Sequence, residues 1–165
     1  MASLTFRGTP VNTNADFIAA GAVMPEVKVV TGTLDEIQAN EVSSGTVILN
    51  IFPSIDTGVC ATSVETFSSR AKEEDLSVIN LSVDTPFAQE RFAADNNIEG
   101  VTFGSFARNR DGLANLGALM VDGPLENFAA RSVVVVKDGK VVYSQLVEEI
   151  AQEPDYDAAI AAATA

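Results

Sequence analysis

The sequence predicts an α/β domain with a mixed central sheet, and three observations carry that prediction. TVILNIF (46–52) and LSVINLSV (76–83) are nearly continuous runs of β-branched and aliphatic residues, the composition of strands covered on both faces. Each is followed by a stretch with apolar residues at helical spacing. SVVVVKDGKVVYSQL then places two apolar runs around Lys-Asp-Gly-Lys, and Asp-Gly is a favoured hairpin turn because it tolerates positive φ.

The elements follow in order. SLTFRGTPVN alternates apolar and polar residues about a Gly-Thr-Pro turn and predicts an N-terminal hairpin. VKVVT, after Pro25, predicts a short strand. After the strand at 46–52, ATSVETFSSRAKEE sets Val64, Phe67 and Ala71 on one helical stripe. Past the strand at 76–83, Thr85 is an N-cap and Pro86 opens a helix over PFAQERFAAD. VTFGSF is a third short strand of this series, and RNRDGLANLGAL is a loop passing into a weak helix. DYDAAIAAATA closes the chain as a helix with Tyr156, Ala159, Ile160 and Ala163 in one stripe. Strand, helix, strand, helix, strand, hairpin and closing helix is the order of a thioredoxin-like fold, extended here by the N-terminal hairpin. No internal repeat or linker divides the chain, so residues 1–165 are expected to form one domain.

Composition narrows the chemistry. A chain of 165 residues, 47% hydrophobic and 20% charged, is long enough to bury its own core. Asp plus Glu number 23 against 10 Lys plus Arg, a net charge of −13, which repels phosphate backbones and argues against a nucleic-acid partner. No run approaches the roughly 20 apolar residues of a membrane span, and MASLTFRGTPVNT lacks the pattern of a secretory signal. A cytoplasmic location is expected. Histidine is absent, which excludes histidine bases and histidine-containing metal sites. A single cysteine excludes an intrachain disulfide, a CxxC redox pair and a cysteine-rich zinc site. The remaining reactive groups are one thiol, carboxylates, hydroxyls, tyrosines, lysines and arginines.

That thiol is Cys60, at the end of NIFPSIDTGVC. A buried strand stops near Phe52, the chain turns, and a helix begins near Cys60. The free N–H groups and positive dipole end of a first helical turn favour thiolate over thiol, and thiolate is the nucleophile. Thr57, three residues earlier, is placed to bring its hydroxyl within reach of the sulfur. Pro53 removes a backbone donor and walls off one side. A lone cysteine is more often an inert core residue, but its place and neighbours here argue for reactivity.

PSIDTGVC holds Pro53, Thr57 and Cys60 in the spacing Pro-x-x-x-Thr-x-x-Cys, which resembles the active-site motif of the peroxiredoxins. NIFPSIDTGVCATSVETF, TPFAQERF, DGPLENFAARSVVVV and SQLVEEIAQEPDYDAAIAA look like the thiol peroxidase branch of that family, the atypical two-cysteine peroxiredoxins. The likeness covers nearly the whole chain. It implies reduction of hydrogen peroxide and alkyl hydroperoxides by Cys60, which would pass through a sulfenic acid. It implies that Thr57 hydrogen-bonds the thiolate and substrate, that Pro53 shields the site from water, and that Arg131, aligned through AARSVVVV, completes the pocket. On position alone Arg131 reads as an exposed strand-end residue. The resemblance also implies a homodimer, thioredoxin as the usual reductant, and no metal, flavin or haem.

Two departures stand out. Gly58 occupies a position where the family usually has proline, which loosens the loop. Ala93, in RFAADNN, stands where the branch carries its resolving cysteine. Either an external thiol, thioredoxin or a low-molecular-weight thiol, resolves the sulfenic acid, or the chain was altered at this position. The competing reading is a non-enzymatic redox sensor that forms a mixed disulfide with a partner protein at Cys60. Asp35/Glu36, Glu73/Glu74/Asp75 and Glu148/Glu149 read as solvated surface rather than acid–base pairs. Phe87 and Phe92 read as core and pocket wall.

Overall fold

A seven-stranded mixed sheet runs through a computed structural model that describes residues 1–165. In chain order the elements are β1 (Ser3–Phe6), β2 (Thr9–Asn12), β3 (Lys28–Val30), β4 (Glu36–Gln38), a 3₁₀ turn (Ala39–Val42), β5 (Thr46–Ile51), α1 (Gly58–Glu74) and β6 (Ser77–Ser82). Then come α2 (Pro86–Asp95), β7 (Thr102–Ser105), α3 (Asp111–Leu116), β8 (Ser132–Lys137), β9 (Lys140–Leu146) and α4 (Tyr156–Thr164). The spatial order is β4-β3-β7-β6-β5-β8-β9, with β1-β2 as a separate hairpin. β5 pairs parallel with β6, and β6 with β7, while β8 lies antiparallel to β5.

Alternation along the central strands splits the core in two. Val47, Leu49 and Ile51 face one side with Ile79, Leu81, Val134 and Val136, beneath Phe106, Leu113 and Leu116. Ile48 faces the other with Val133 and Val135, beneath Phe67 of α1 and Ala159, Ile160 and Ala163 of α4. The ring of Phe67 meets that of Tyr156 edge-on at 5.0 Å, joining α1 to α4. On the α1 side the sheet also carries Asn50 of β5 and Asn80 of β6, directly opposite each other in register and both buried.

The expected elements are all present, with four differences. The N-terminal hairpin turns at Arg7 and Gly8, both at positive φ (51° and 83°), so Thr9 and Pro10 belong to the second strand rather than to the turn. α1 starts at Gly58, three residues ahead of the expected helical segment at Ala61, because Thr57 caps it. β4 and the 3₁₀ turn carry no strand or helix periodicity, and β4 exists because it pairs with β3 on the sheet edge. Phe87 is 69% exposed instead of buried, whereas Phe92 is in the core. The main hairpin turns at Asp138 and Gly139, both at positive φ, as its sequence predicts. No helix is long and apolar enough to cross a membrane.

Candidate active site

Cys60 is the third residue of α1, and its backbone is held on both sides. Thr57, the N-cap, accepts from the Cys60 N–H at 3.3 Å and donates its own proton to the Ser54 carbonyl at 3.3 Å. Capping therefore uses the hydroxyl: it reaches the cysteine's amide, and its proton is directed to Ser54 instead of the sulfur. On the far side Ser63 Oγ donates to the Cys60 carbonyl at 2.8 Å. Asn50 Nδ2 donates to Ser63 Oγ at 3.3 Å and to Asn80 Oδ1 at 2.9 Å. These three polar residues were not singled out from the sequence. Their signal was an asparagine interrupting each of two otherwise apolar strands.

Arg131 supplies the second half of the site. It directly precedes β8 and is 2% exposed, a buried arginine and not a surface one. Its Nε donates to the Ile150 carbonyl at 2.7 Å and its Nη2 to Cys60 Sγ at 3.1 Å. Nη1 is buried without a partner. A guanidinium buried without a carboxylate is costly unless another anion balances it. No carboxylate pairs with Arg131, and the side chain it touches is the Cys60 sulfur. Cys60 itself is fully buried, against Phe52, Ile55, Val64 and Phe92.

A cavity of about 320 Å³ is lined by Arg131, while Cys60 itself is fully buried and lies outside that lining. The cavity is also lined by Pro53, Ser54, Thr57, Gly58 and Val59 of the turn and first helical turn, and by residues of the N-terminal hairpin, the 125–128 segment and the 150–151 segment, with Pro53 buried. Most of that lining is apolar. Thr57 and Cys60 at the start of α1 thus meet Arg131 just ahead of β8, and Pro53 of the turn after β5 lines the same cavity as Thr57 and Arg131. Ala93 does not join them: it lies half-buried on α2 and faces a different cavity with Gly32, Glu90 and Phe103.

Gly58 occupies the first position of α1 with open space where a Cβ would stand. Its N–H makes no backbone hydrogen bond, and Thr57 before it is extended at φ −101°, ψ 147°. Both conditions suit proline. Gly58→Pro is expected to raise stability by about 0.4–1 kcal/mol through the unfolded chain, read as a higher thermal midpoint. A lower midpoint would show that the first turn needs glycine.

Glu149 is no solvated bystander. Its Oε1 accepts from Gly8 N at 2.8 Å and Thr5 Oγ1 at 3.0 Å, and its Oε2 from Ala151 N at 2.8 Å. These bonds latch the hairpin that supplies Phe6 and Arg7 to the cavity. Backbone hydrogen bonds, led by those from Ala151 and Gly8, hold its carboxyl down at about 2 against an ordinary 4.5. A depressed carboxylate stabilises the fold fully above its unfolded value, and that contribution drains away as pH falls. The difference in thermal midpoint between wild type and Glu149→Gln is therefore expected to be constant above about pH 5 and to shrink between pH 4.5 and 2. A difference unchanged over that window would contradict the latch.

Known proteins resemble this chain along nearly its whole length. The redoxin family model matches residues 19–160. A thiol peroxidase of Mycobacterium tuberculosis is 44% identical over 163 residues, covering 98% of each chain. A thiol peroxidase of Corynebacterium glutamicum is 43% identical over 164 residues, covering 98% of this chain and 99% of that one. The crystal structure of a peroxiredoxin-like protein from Aquifex aeolicus superposes with a TM-score of 0.92 at 36% identity, over 99% of this chain and 96% of that one. A thiol peroxidase from Chromobacterium violaceum, only 17% identical, shares the fold with a TM-score of 0.87 over 96% of this chain and 93% of its own. Family model, relatives and fold agree along almost the entire length: the chain belongs to the redoxin family, in the thiol peroxidase branch of the peroxiredoxins.

Proposed function

We propose that this chain, acting as one domain over residues 1–165, is a thiol-dependent peroxidase whose nucleophile is Cys60. The observation that carries the reading is Arg131, which lines the cavity, touches the sulfur at 3.1 Å with Nη2 and keeps Nη1 buried without a partner. The Cys60 thiolate attacks the terminal oxygen of a hydroperoxide. The S–O bond forms as the O–O bond breaks, leaving a sulfenic acid and an alkoxide that leaves as the alcohol once protonated. Arg131 Nη1 is free to receive the oxygen on which charge develops, the arrangement that stabilises oxyanion-like transition states. Thr57 acts by fixing the first helical turn, and Pro53 by closing the cavity wall against water. An external thiol then condenses with the sulfenic acid to a mixed disulfide and water. A second thiol releases Cys60 and the external disulfide.

The apolar cavity supports alkyl hydroperoxides as substrates alongside hydrogen peroxide. With Ala93 in place of a thiol, the reductant is thioredoxin or a low-molecular-weight thiol acting directly on Cys60. We place the protein in the cytoplasm as a homodimer. Exposed Phe87, one helical turn before the Arg91 that pairs with Asp56 of the Cys60 loop at 3.3 Å, is a candidate contact. The test is consumption of cumene hydroperoxide with dithiothreitol, or with thioredoxin, its reductase and NADPH. Multiple turnovers with either reductant, abolished by Cys60→Ser, are expected. A single stoichiometric burst with both would instead make the chain a redox sensor.

A further inference from the structure

Asp84 lies outside the cavity and in none of the roles above, yet its carboxylate is where the Cys60 loop is anchored. It follows β6 and precedes Thr85, the cap of α2. Oδ1 accepts from Ser54 Oγ at 2.8 Å, and Oδ2 from Ile55 N at 2.9 Å and Ser82 Oγ at 2.6 Å. Ser54, so held, offers its carbonyl to both the amide and the hydroxyl of Thr57, at 3.3 Å each. Thr57 in turn accepts from the Cys60 amide at 3.3 Å. An unbroken hydrogen-bonded path thus runs from Asp84 through Ser54 and Thr57 to Cys60.

The anchor is itself anchored. Ser105 at the end of β7 donates to the Asp84 carbonyl. Gln89, 1% exposed, donates to Ser82 Oγ at 3.1 Å and to the Gly104 carbonyl at 2.9 Å. Three donors converge on the carboxylate, and only an acceptor-only group satisfies them all. No cation pairs with Asp84. As a charge alone it works against a nearby thiolate, so electrostatics does not explain its presence. Geometry does.

Resting on the peroxidase reading, we propose that Asp84 is a positioning residue for the reaction, holding the Ser54–Thr57 turn so that the first turn of α1 presents the Cys60 sulfur to Arg131 and the cavity. The two possible roles have opposite signs. Asp84→Asn removes a negative charge but sets an amide donor against converging donors, which frees the turn.

The experiment compares wild type, Asp84→Asn, Ser54→Ala and the double variant. It measures the single-turnover rate of Cys60 oxidation by cumene hydroperoxide, the pH profile of Cys60 alkylation by iodoacetamide, and the thermal midpoint. Displacement of reacting groups by about 1 Å costs up to about 100-fold. Asp84→Asn is accordingly expected to slow oxidation about 10- to 100-fold and to move the alkylation profile to higher pH. Ser54→Ala is expected to slow oxidation less, and the double variant to be no slower than Asp84→Asn, since both cut one path. Oxidation at the wild-type rate or faster in a folded Asp84→Asn, or a profile moved to lower pH, overturns the proposal. Should Asp84→Asn not fold, Ser54→Ala decides: it removes only the first link, and an unchanged rate and profile there also overturn it. A wild-type protein inert to peroxide would refute the peroxidase reading, while the alkylation profiles would still judge Asp84.

Discussion

Arg131→Met is expected to slow oxidation of Cys60 by about 10²–10³-fold, the usual loss when one preorganised donor to a developing oxyanion is removed. Methionine fills similar volume but leaves Cys60 Sγ and the Ile150 carbonyl without the donors they now have at 3.1 and 2.7 Å. Stability should fall as well, by about 1–3 kcal/mol for the Ile150 carbonyl left without its donor, so the rates are compared at a temperature where both proteins are folded. Arg131→Lys should recover only part of the activity. An ammonium is a point charge and cannot serve the carbonyl, the sulfur and the cavity in one plane as the guanidinium fork does. The chain has no tryptophan, so the rates are best read by quenching and mass spectrometry. Wild-type speed in a folded Arg131→Met would remove the arginine from the mechanism.

Inactivation by excess peroxide is the second large effect. Cys60 is the sole cysteine, so its sulfenic acid has no intrachain thiol to condense with. A second peroxide converts sulfenic to sulfinic acid, which ordinary thiols do not reverse. Peroxide in tenfold excess without reductant should thus give a Cys60 peptide two oxygens heavier and a protein that dithiothreitol no longer restores. Raising the thiol concentration during the exposure should protect it. Turnover that stays linear at high peroxide and low thiol would contradict this account and point to a protected intermediate.

Much of this was legible in the sequence where a local rule acts alone. The β-branched run at 46–52, the Asp138-Gly139 turn and the Thr85-Pro86 helix start each announce themselves. So does Cys60 at a helix start. What depends on distant packing was not legible. Arg131 reads as a surface residue until the structure brings β8 beside β5 and the 150 carbonyl beneath its Nε. Phe87 reads as core because it is aromatic, yet five positions set it about 140° round the helix from buried Phe92. Thr57 was placed near the sulfur by motif, but an N-cap hydroxyl is first claimed by the backbone. Asp84 carries no pattern of its own, because its partners in the Cys60 loop, Ser54 and Ile55, lie about thirty residues away.

The central claim is that Cys60 is a peroxide-reactive nucleophile. The most direct test is a brief stoichiometric pulse of cumene hydroperoxide on reduced protein, with dimedone present to trap sulfenic acid, followed by peptide mass spectrometry. This account predicts a rapid, quantitative dimedone adduct on Cys60 that is absent from Cys60→Ser. A Cys60 still unmodified after minutes would contradict it, leaving a redoxin fold whose thiol does not react.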